Sequence, residues 1–231
     1  MQTLRHRTPD DPTAGARTAG AWTAFAAILL TVSLALHPPP EAESTAFMQV
    51  IAAEGDTWRI VHWLAAAALA ALVVAGLLAL AAPELARGGL TKSAWGVLTV
   101  GALSTMFTAV SEATVIADTA ARGDQATFAG WQAFAQAMAL GFAFLGLAVA
   151  FLGAAEARNA AAPLPRWAAY LAVPFGTGAF VGWMLGPVQG YSFGGPIWLV
   201  SILLMGLWLA AYGVGIVRLS SKVAHAEVVH V

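Results

Sequence analysis

The sequence predicts an all-α fold, a polytopic bundle of six transmembrane helices with both termini in the cytoplasm. Hydrophobic residues make up 59% of its 231 residues, and charged residues only 10%. The apolar residues form six runs, each near the roughly 20 residues that a helix needs to cross a bilayer. The basic residues gather in alternate loops between these runs, as in membrane proteins of fixed orientation. A soluble domain of this length has no interior large enough to bury so much apolar surface.

The apolar runs predict helices because they are continuous, without the apolar–polar alternation of a barrel strand. The predicted spans are residues 19–37, 59–82, 93–117, 128–153, 167–186 and 196–217. Residues 1–18 and 218–231 are then cytoplasmic tails, and the first is expected to be disordered because it is rich in Arg, Asp, Pro and Thr. The first span is expected to stay in the mature protein, since its apolar run is longer than that of a signal peptide.

The segment after the first span predicts a short helix on the membrane surface. Three consecutive prolines, Pro38 to Pro40, end the span. Residues 41–53 then predict an interfacial helix with apolar side chains that would lie on the membrane. These side chains are Phe47, Met48, Val50 and Ile51. Such a helix would either cover the mouth of a pocket or shield a loop.

The fourth and fifth spans carry local signals. Asp124 precedes the unusually long fourth span and is expected to cap it. Gly178 and Gly182 form a GxxxG pair in the fifth span, which permits close contact between helices. This pair predicts tight packing within the bundle, or a surface for a second copy of the chain or for other membrane proteins.

The distribution of basic residues predicts the orientation. With the N-terminus inside, cytoplasmic segments hold nine of the eleven basic residues, and outer segments hold only Arg59 and Arg122. The cytoplasmic nine are Arg5, Arg7, Arg17, Arg87, Lys92, Arg158, Arg166, Arg218 and Lys222. Eight of the nine tryptophans fall at predicted span ends, where indoles prefer the headgroup level. We therefore predict a multi-pass protein of the inner (plasma) membrane, with membrane lipids as partners.

The outer half of the bundle carries an ionisable group inside a span, which is costly unless that group faces the bundle interior. Glu112 lies late in the third span and is the one well-buried acid that the sequence predicts. Ser104, Thr108 and Glu112 recur every four residues and so form one polar stripe. Counting from the following turn places Glu112 level with Gln132, and Gln136 lies one helical turn further on. This predicts a carboxyl–amide contact that either pins two helices or binds a ligand or handles protons.

Two histidines lie near the outer ends of the first two spans. His37 ends the first span, and His62 lies about one turn into the second. Arg59 and Asp56 precede His62 and would share a hydrogen-bond network with it. Together with Glu112, the two histidines are a candidate site for a metal such as zinc or iron. The alternatives are two independent interfacial histidines, or a haem that would need both of them at the edge of the bilayer.

Several classes of function have no support in the sequence. The net charge of −1 argues against a nucleic-acid partner. Cysteine is absent, which excludes disulfides, thiolate metal sites and a cysteine nucleophile. No HExxH, Walker or Rossmann pattern occurs, and no serine lies in a nucleophile elbow. The sequence therefore leans against an enzyme and identifies no cofactor.

The region around the second span resembles uncharacterised small polytopic membrane proteins of high-GC bacteria and haloarchaea. The resemblance covers roughly half of the chain. The residues that carry it are Leu36-His37-Pro38, a short amphipathic stretch, Trp58-Arg-Ile-Val-His62 at the start of an Ala/Leu/Gly-rich helix, and the acidic segment 112–124. It implies no particular activity, but it directs attention to His37, His62 and Glu112.

Three functional hypotheses follow. In the first, an outward-facing polar pocket between spans one to four binds a small molecule, a lipid or a cation, in a transport-related or sensory component. In the second, a membrane enzyme or redox subunit uses His37, His62 and Glu112 to hold a metal or haem. In the third, the chain is a structural helper that packs against other membrane proteins without a ligand.

Overall fold

The apolar runs form helices as predicted. A computed structural model describes residues 13–38 and 44–229, and every regular element within those residues is helical. Six helical segments are long and apolar enough to cross a membrane: Ala14–Leu36, Gly55–Ala81, Gly89–Arg122, Gln125–Glu156, Arg166–Val188 and Gly194–Val223. The predicted all-α bundle of six spans is confirmed, and the chain is a multi-pass membrane protein.

Nine α-helices and two π-helical turns build the described part of the chain. The helices are α1 (Ala14–Leu36), α2 (Ser44–Ala53), α3 (Gly55–Ala81), α4 (Gly89–Ser111), α5 (Ala117–Arg122), α6 (Gln125–Met138), α7 (Gly141–Glu156), α8 (Arg166–Trp183) and α9 (Gly194–Val229). The first π-helical turn, Glu112–Ile116, joins α4 to α5, and the second, Met184–Val188, follows α8.

The helices extend beyond the predicted spans. Residues 14–18 of the predicted disordered tail belong to α1, while residues 1–12 lie outside the described residues. At the other end, α9 continues to Val229, so most of the predicted tail 218–231 is helical. Hydropathy marks the part of a helix that enters the bilayer, whereas the alanines and charged residues beyond it still favour helix.

The six spans form a closed ring in chain order. Each hairpin places consecutive spans side by side: α1 with α3, α3 with α4, α4 with α7, α7 with α8 and α8 with α9. The last helix, α9, also packs along α1 and closes the ring. The Thr13 hydroxyl donates to the Ser220 carbonyl (3.3 Å), so the start of α1 and the far part of α9 lie at the same end of the bundle.

The two ends of the bundle differ in their side chains. We call the end formed by residues 37–38, 44–55, 117–125 and 184–194 the histidine end, and the end formed by residues 82–88 and 157–165 the arginine end. Asp124 caps α6 at the histidine end, accepting a hydrogen bond from the Thr127 N–H (3.2 Å) as predicted. This hydrogen bond holds the pKa of Asp124 below its ordinary value.

Small residues let neighbouring spans approach closely. A Cβ added at Gly146 on α7 would lie only 2.7 Å from the Gly176 carbonyl oxygen on α8. The predicted GxxxG pair behaves in the same way, because Gly182 lies against the backbone of Trp198 and Gly178 against the side chain of Ser201, both on α9. The Gly178/Gly182 face therefore packs within the chain. A contact with a second copy or another protein at this face remains a prediction.

Candidate functional site

The histidine end brings together four side chains, His37, Trp58, His62 and Glu112, which we call the histidine cluster. His37 follows α1 and has an extended backbone (φ −67°, ψ 127°), the conformation that the next residue, a proline, favours. The other three lie on α3 and at the start of the first π-helical turn. α1 and α3 are tied together beneath the cluster, where the Ser33 hydroxyl donates to the Val61 carbonyl (2.8 Å).

The two imidazoles of the cluster face each other. The Nε2 atoms of His37 and His62 lie 3.3 Å apart, and the ring centroids lie 4.9 Å apart. The predicted proximity of these histidines is confirmed. His62 is buried and His37 partly so. Burial lowers the pKa of His37, since a protein interior disfavours the charged imidazolium.

The remaining ring nitrogens determine which tautomers the neutral rings adopt. The Nδ1 of His37 lies 2.5 Å from the Pro38 carbonyl oxygen, and the Nδ1 of His62 lies 2.8 Å from the Trp58 carbonyl oxygen. A carbonyl oxygen only accepts hydrogen bonds, so each Nδ1 must carry the proton. Two neutral rings of this kind present bare Nε2 lone pairs, so the 3.3 Å gap separates two acceptors.

Trp58 and Glu112 add unsatisfied polar atoms to the cluster. The Trp58 ring packs against His37 (5.0 Å between centroids) and against His62 (4.4 Å). Its Nε1 atom and the Oε2 atom of Glu112 are buried without a hydrogen-bond partner in the described part of the protein. Their side chains nevertheless lie close enough to interact. The indole nitrogens of Trp95 and Trp198 are also buried without a partner among the described residues, so the carboxyl oxygen of Glu112 is the more unusual of the two atoms in the cluster.

Arg59 departs from the predicted network with Asp56. Its guanidinium donates to the Ala113 carbonyl (3.2 Å) in the first π-helical turn. It also donates to Asp118 Oδ1 (2.6 Å) just after that turn. Asp56 is exposed. The predicted link from Asp56 through Arg59 to His62 is therefore wrong, because Arg59 reaches across to the neighbouring span instead of along its own helix.

The polar stripe on α4 faces α6 as predicted, but it contacts backbone atoms. The Ser104 hydroxyl donates to the Met138 carbonyl (2.7 Å), and the Thr108 hydroxyl donates to the Ala135 carbonyl (2.8 Å). Glu112 makes no hydrogen bond to Gln132 or to Gln136, and Gln136 is exposed while Gln132 is partly buried. The π-helical turn begins at Glu112 and changes the helical register there. This explains why counting along α4 misplaced the carboxyl.

The short helix α2 covers the histidine cluster. Phe47 and Ile51 are buried against Trp58 and the start of α6, and the Phe47 ring lies 5.4 Å from that of Trp58. The expectation that these apolar side chains lie on the membrane is wrong for both residues. They stabilise α2 against the bundle, and α2 thereby covers the Trp58 side of the cluster.

Two cavities of the protein lie away from the histidine cluster. One cavity, of about 610 Å³, lies at the arginine end between the loop 162–165 and α9, and Arg218 and Lys222 line it among apolar residues. A second cavity of about 390 Å³ lies beside Trp131 and Phe134 on α6. Within residues 13–38 and 44–229, no three His, Asp or Glu side chains form a metal-ligand group, so Glu112 does not join the histidines as a third ligand.

The sequence missed a second buried acid. Glu156 at the end of α7 accepts hydrogen bonds from the Tyr212 hydroxyl (2.9 Å) and from the Asn159 amide (3.2 Å). The expectation that Glu112 is the one well-buried acid is therefore wrong. Asn159 lies three residues after Glu156, so this partner could be recognised from the local sequence. Tyr212 lies 56 residues away, so the sequence provided no indication of this second hydrogen bond. Because both carboxyl oxygens of Glu156 are satisfied, this site is a closed structural network.

Comparison of the chain with family models, with curated proteins and with solved structures found no match.

Proposed function

We propose that this multi-pass membrane protein binds a small cation at the histidine cluster and acts as a transport-related or sensory component of the plasma membrane. One observation carries the proposal: His37 and His62 direct two Nε2 atoms at a shared gap of 3.3 Å while both Nδ1 atoms are held by backbone carbonyls.

The electrostatics of the gap favour a positive species. Two neutral imidazoles with bare Nε2 atoms repel each other at this distance, and burial strengthens the repulsion. A proton or a metal ion between them would turn both lone pairs into ligands. The buried Glu112 carboxyl lies in the same cluster and has an unsatisfied oxygen, so it would supply a counter-charge for the cation.

The packing of the site limits the size of the ligand. Trp58 is 1% exposed and Phe47 covers it, so a lipid or a metabolite would require α2 to move, whereas an ion would need only the space beside the two Nε2 atoms. A haem does not fit, because a porphyrin would have to lie between the two imidazoles and Trp58 packs against both of them. Among the hypotheses drawn from the sequence, the cation therefore has the strongest support.

The orientation and the partners belong to the same proposal. The arginine end would face the cytoplasm, since it carries most of the basic residues. Membrane lipids would be partners there, because Arg218 and Lys222 border an apolar cavity and would attract an anionic headgroup. A structural helper without a ligand is less well supported, since the unsatisfied atoms of the cluster have no role in it.

A double-mutant cycle tests the proposal. His37→Ala, His62→Ala and the double variant are melted in detergent, and His225→Ala near the end of α9 serves as the matched control. If the two imidazoles share a cation, the stability losses should be strongly non-additive, because either single variant removes the shared ligand. Additive losses that no added cation alters would retire the proposal and leave two independent histidines.

A further inference from the structure

The geometry of the imidazole pair identifies a chemical class for the cation. Resting on the proposed function, we propose that the cation is a tetrahedrally coordinated divalent transition metal of the zinc class, bound by Nε2 of His37 and Nε2 of His62.

The distance between the two nitrogens supports this assignment. Imidazole nitrogens bind Zn²⁺ at about 2.0–2.1 Å, and two ligands at a tetrahedral angle then lie about 3.3 Å from each other. The Nε2 atoms are 3.3 Å apart. A linear two-coordinate ion would instead hold them about 4 Å apart, at twice that bond length.

The directions of the rings agree with the distance. The centroid separation of 4.9 Å exceeds the Nε2 separation of 3.3 Å by only 1.6 Å, which is less than the two ring radii that a head-on arrangement would add. The rings are therefore inclined to each other and not head-on, an arrangement that two ligands of one ion also adopt. A shared proton would favour a near-linear hydrogen bond along the Nε2···Nε2 line.

The surroundings of each imidazole are those of a metal ligand. Metal-binding histidines almost always donate their second ring N–H to a carbonyl or carboxylate, which fixes the tautomer and the ring orientation. Both rings do so here, to the carbonyls of Pro38 and Trp58. Imidazole ligands favour zinc, copper, nickel and related ions, whereas magnesium and calcium favour oxygen ligands.

The number of protein ligands indicates exchangeable binding. Structural zinc sites are closed by four protein ligands, and catalytic sites have three. In the part of the chain that the structure describes, the histidine pair has no third side chain in ligand position. Two coordination positions would remain for water or for a group on a substrate. A site with so few protein ligands would hold its ion less tightly than a closed one, and exchange would require movement of α2, which covers Trp58.

Metal binding to the purified full chain tests the inference. The protein is stripped with a chelator and titrated with Zn²⁺, with Co²⁺ as a spectroscopic probe of coordination geometry, and with Mg²⁺ as a negative control. We expect one equivalent of Zn²⁺ or Co²⁺ per chain, a tetrahedral Co²⁺ spectrum, and no response to Mg²⁺. His37→Ala and His62→Ala should each weaken binding at least about tenfold, because a ligand set that loses one member loses its geometry. His225→Ala should bind as the wild type does.

The outcomes separate this inference from the proposed function. Melting of the metal-free variants, with His37→Asn and His62→Asn as milder replacements, shows which of them are folded. Zn²⁺ binding that survives in a folded double variant would overturn the site. Non-additive coupling of the two histidines without any metal binding would indicate that they share a proton. That result would contradict the metal assignment and would leave the proposed function standing. Absence of both effects would overturn both.

Discussion

Glu112 and Glu156 differ in how completely the fold satisfies them. Both are buried glutamates at the ends of spans, with 8% and 6% of their surface exposed. Glu156 receives two hydrogen bonds, whereas one oxygen of Glu112 receives none. An unsatisfied buried carboxyl lowers stability. Glu112 interacts with Trp58, which packs against both imidazoles, and the proposed cation would give its carboxyl a role.

Leucine replacements should separate the two roles. Glu156→Leu strands the Tyr212 hydroxyl and the Asn159 amide, so we expect it to cost about 1–3 kcal/mol of stability. Glu112→Leu removes a buried carboxyl with one unsatisfied oxygen and should lower the melting temperature of the metal-free protein less than Glu156→Leu does. With Zn²⁺ present, Glu112→Leu should gain less stabilisation than the wild type, because the counter-charge is gone. Equal destabilisation of both metal-free variants would show that Glu112 has a partner in the folded protein.

At the scale of helices, close packing depends on small residues that face a neighbouring span. The contact between α7 and α8 brings Gly146 near the Gly176 carbonyl. On α4, by contrast, nothing lies within 4 Å of the position that a Cβ on Gly96 would occupy. The two glycines therefore share a residue type and a helical setting, but only Gly146 is constrained by a neighbouring helix.

Alanine substitution at these glycines tests the packing. Gly146→Ala places a methyl group 2.7 Å from the Gly176 oxygen, so we expect a loss of about 1–3 kcal/mol as the helices separate. Gly96→Ala should be neutral or stabilising, because alanine favours helix more than glycine does. Thermal melting in one detergent compares the two variants. A Gly146→Ala protein as stable as Gly96→Ala would mean that α7 and α8 are not in this close contact.

At the scale of the whole molecule, the closed ring of six spans places the histidine cluster and most of the basic residues at opposite ends. Because the number of spans is even, the two ends of the described chain lie on one side. The distribution of Lys and Arg then predicts that this side is cytoplasmic. The proposed cation would accordingly bind from outside the cell.

Cysteine labelling tests this orientation directly, since the chain has no cysteine of its own. Gln125→Cys lies at the histidine end and Ala160→Cys at the arginine end, both at exposed positions. A membrane-impermeant maleimide applied to intact cells should label Gln125→Cys, and it should label Ala160→Cys only after lysis. The reverse pattern would invert the orientation and place the histidine cluster on the cytoplasmic side.

The sequence by itself determined the properties that depend on local composition. The thickness of the bilayer fixes the length of a span, so hydropathy was sufficient to count six helices. Asp124 was recognised as a cap because the hydrogen bond it accepts comes from a residue only three positions away. His37 and His62 were expected together because they lie at the ends of consecutive antiparallel spans, where a short connection keeps them close.

Only the tertiary structure decided which atoms face each other inside the bundle. The pairing of Arg59 with Asp118 and the isolation of Glu112 depend on how each helix is rotated, and the π-helical turn changes that rotation without a local sequence signal. The position of α2 likewise depends on an apolar surface to which α3 and α6 both contribute residues. The Nε2 gap of 3.3 Å is set by two backbone carbonyls and a neighbouring indole, and such a convergence of groups from different helices has no signature in the order of residues.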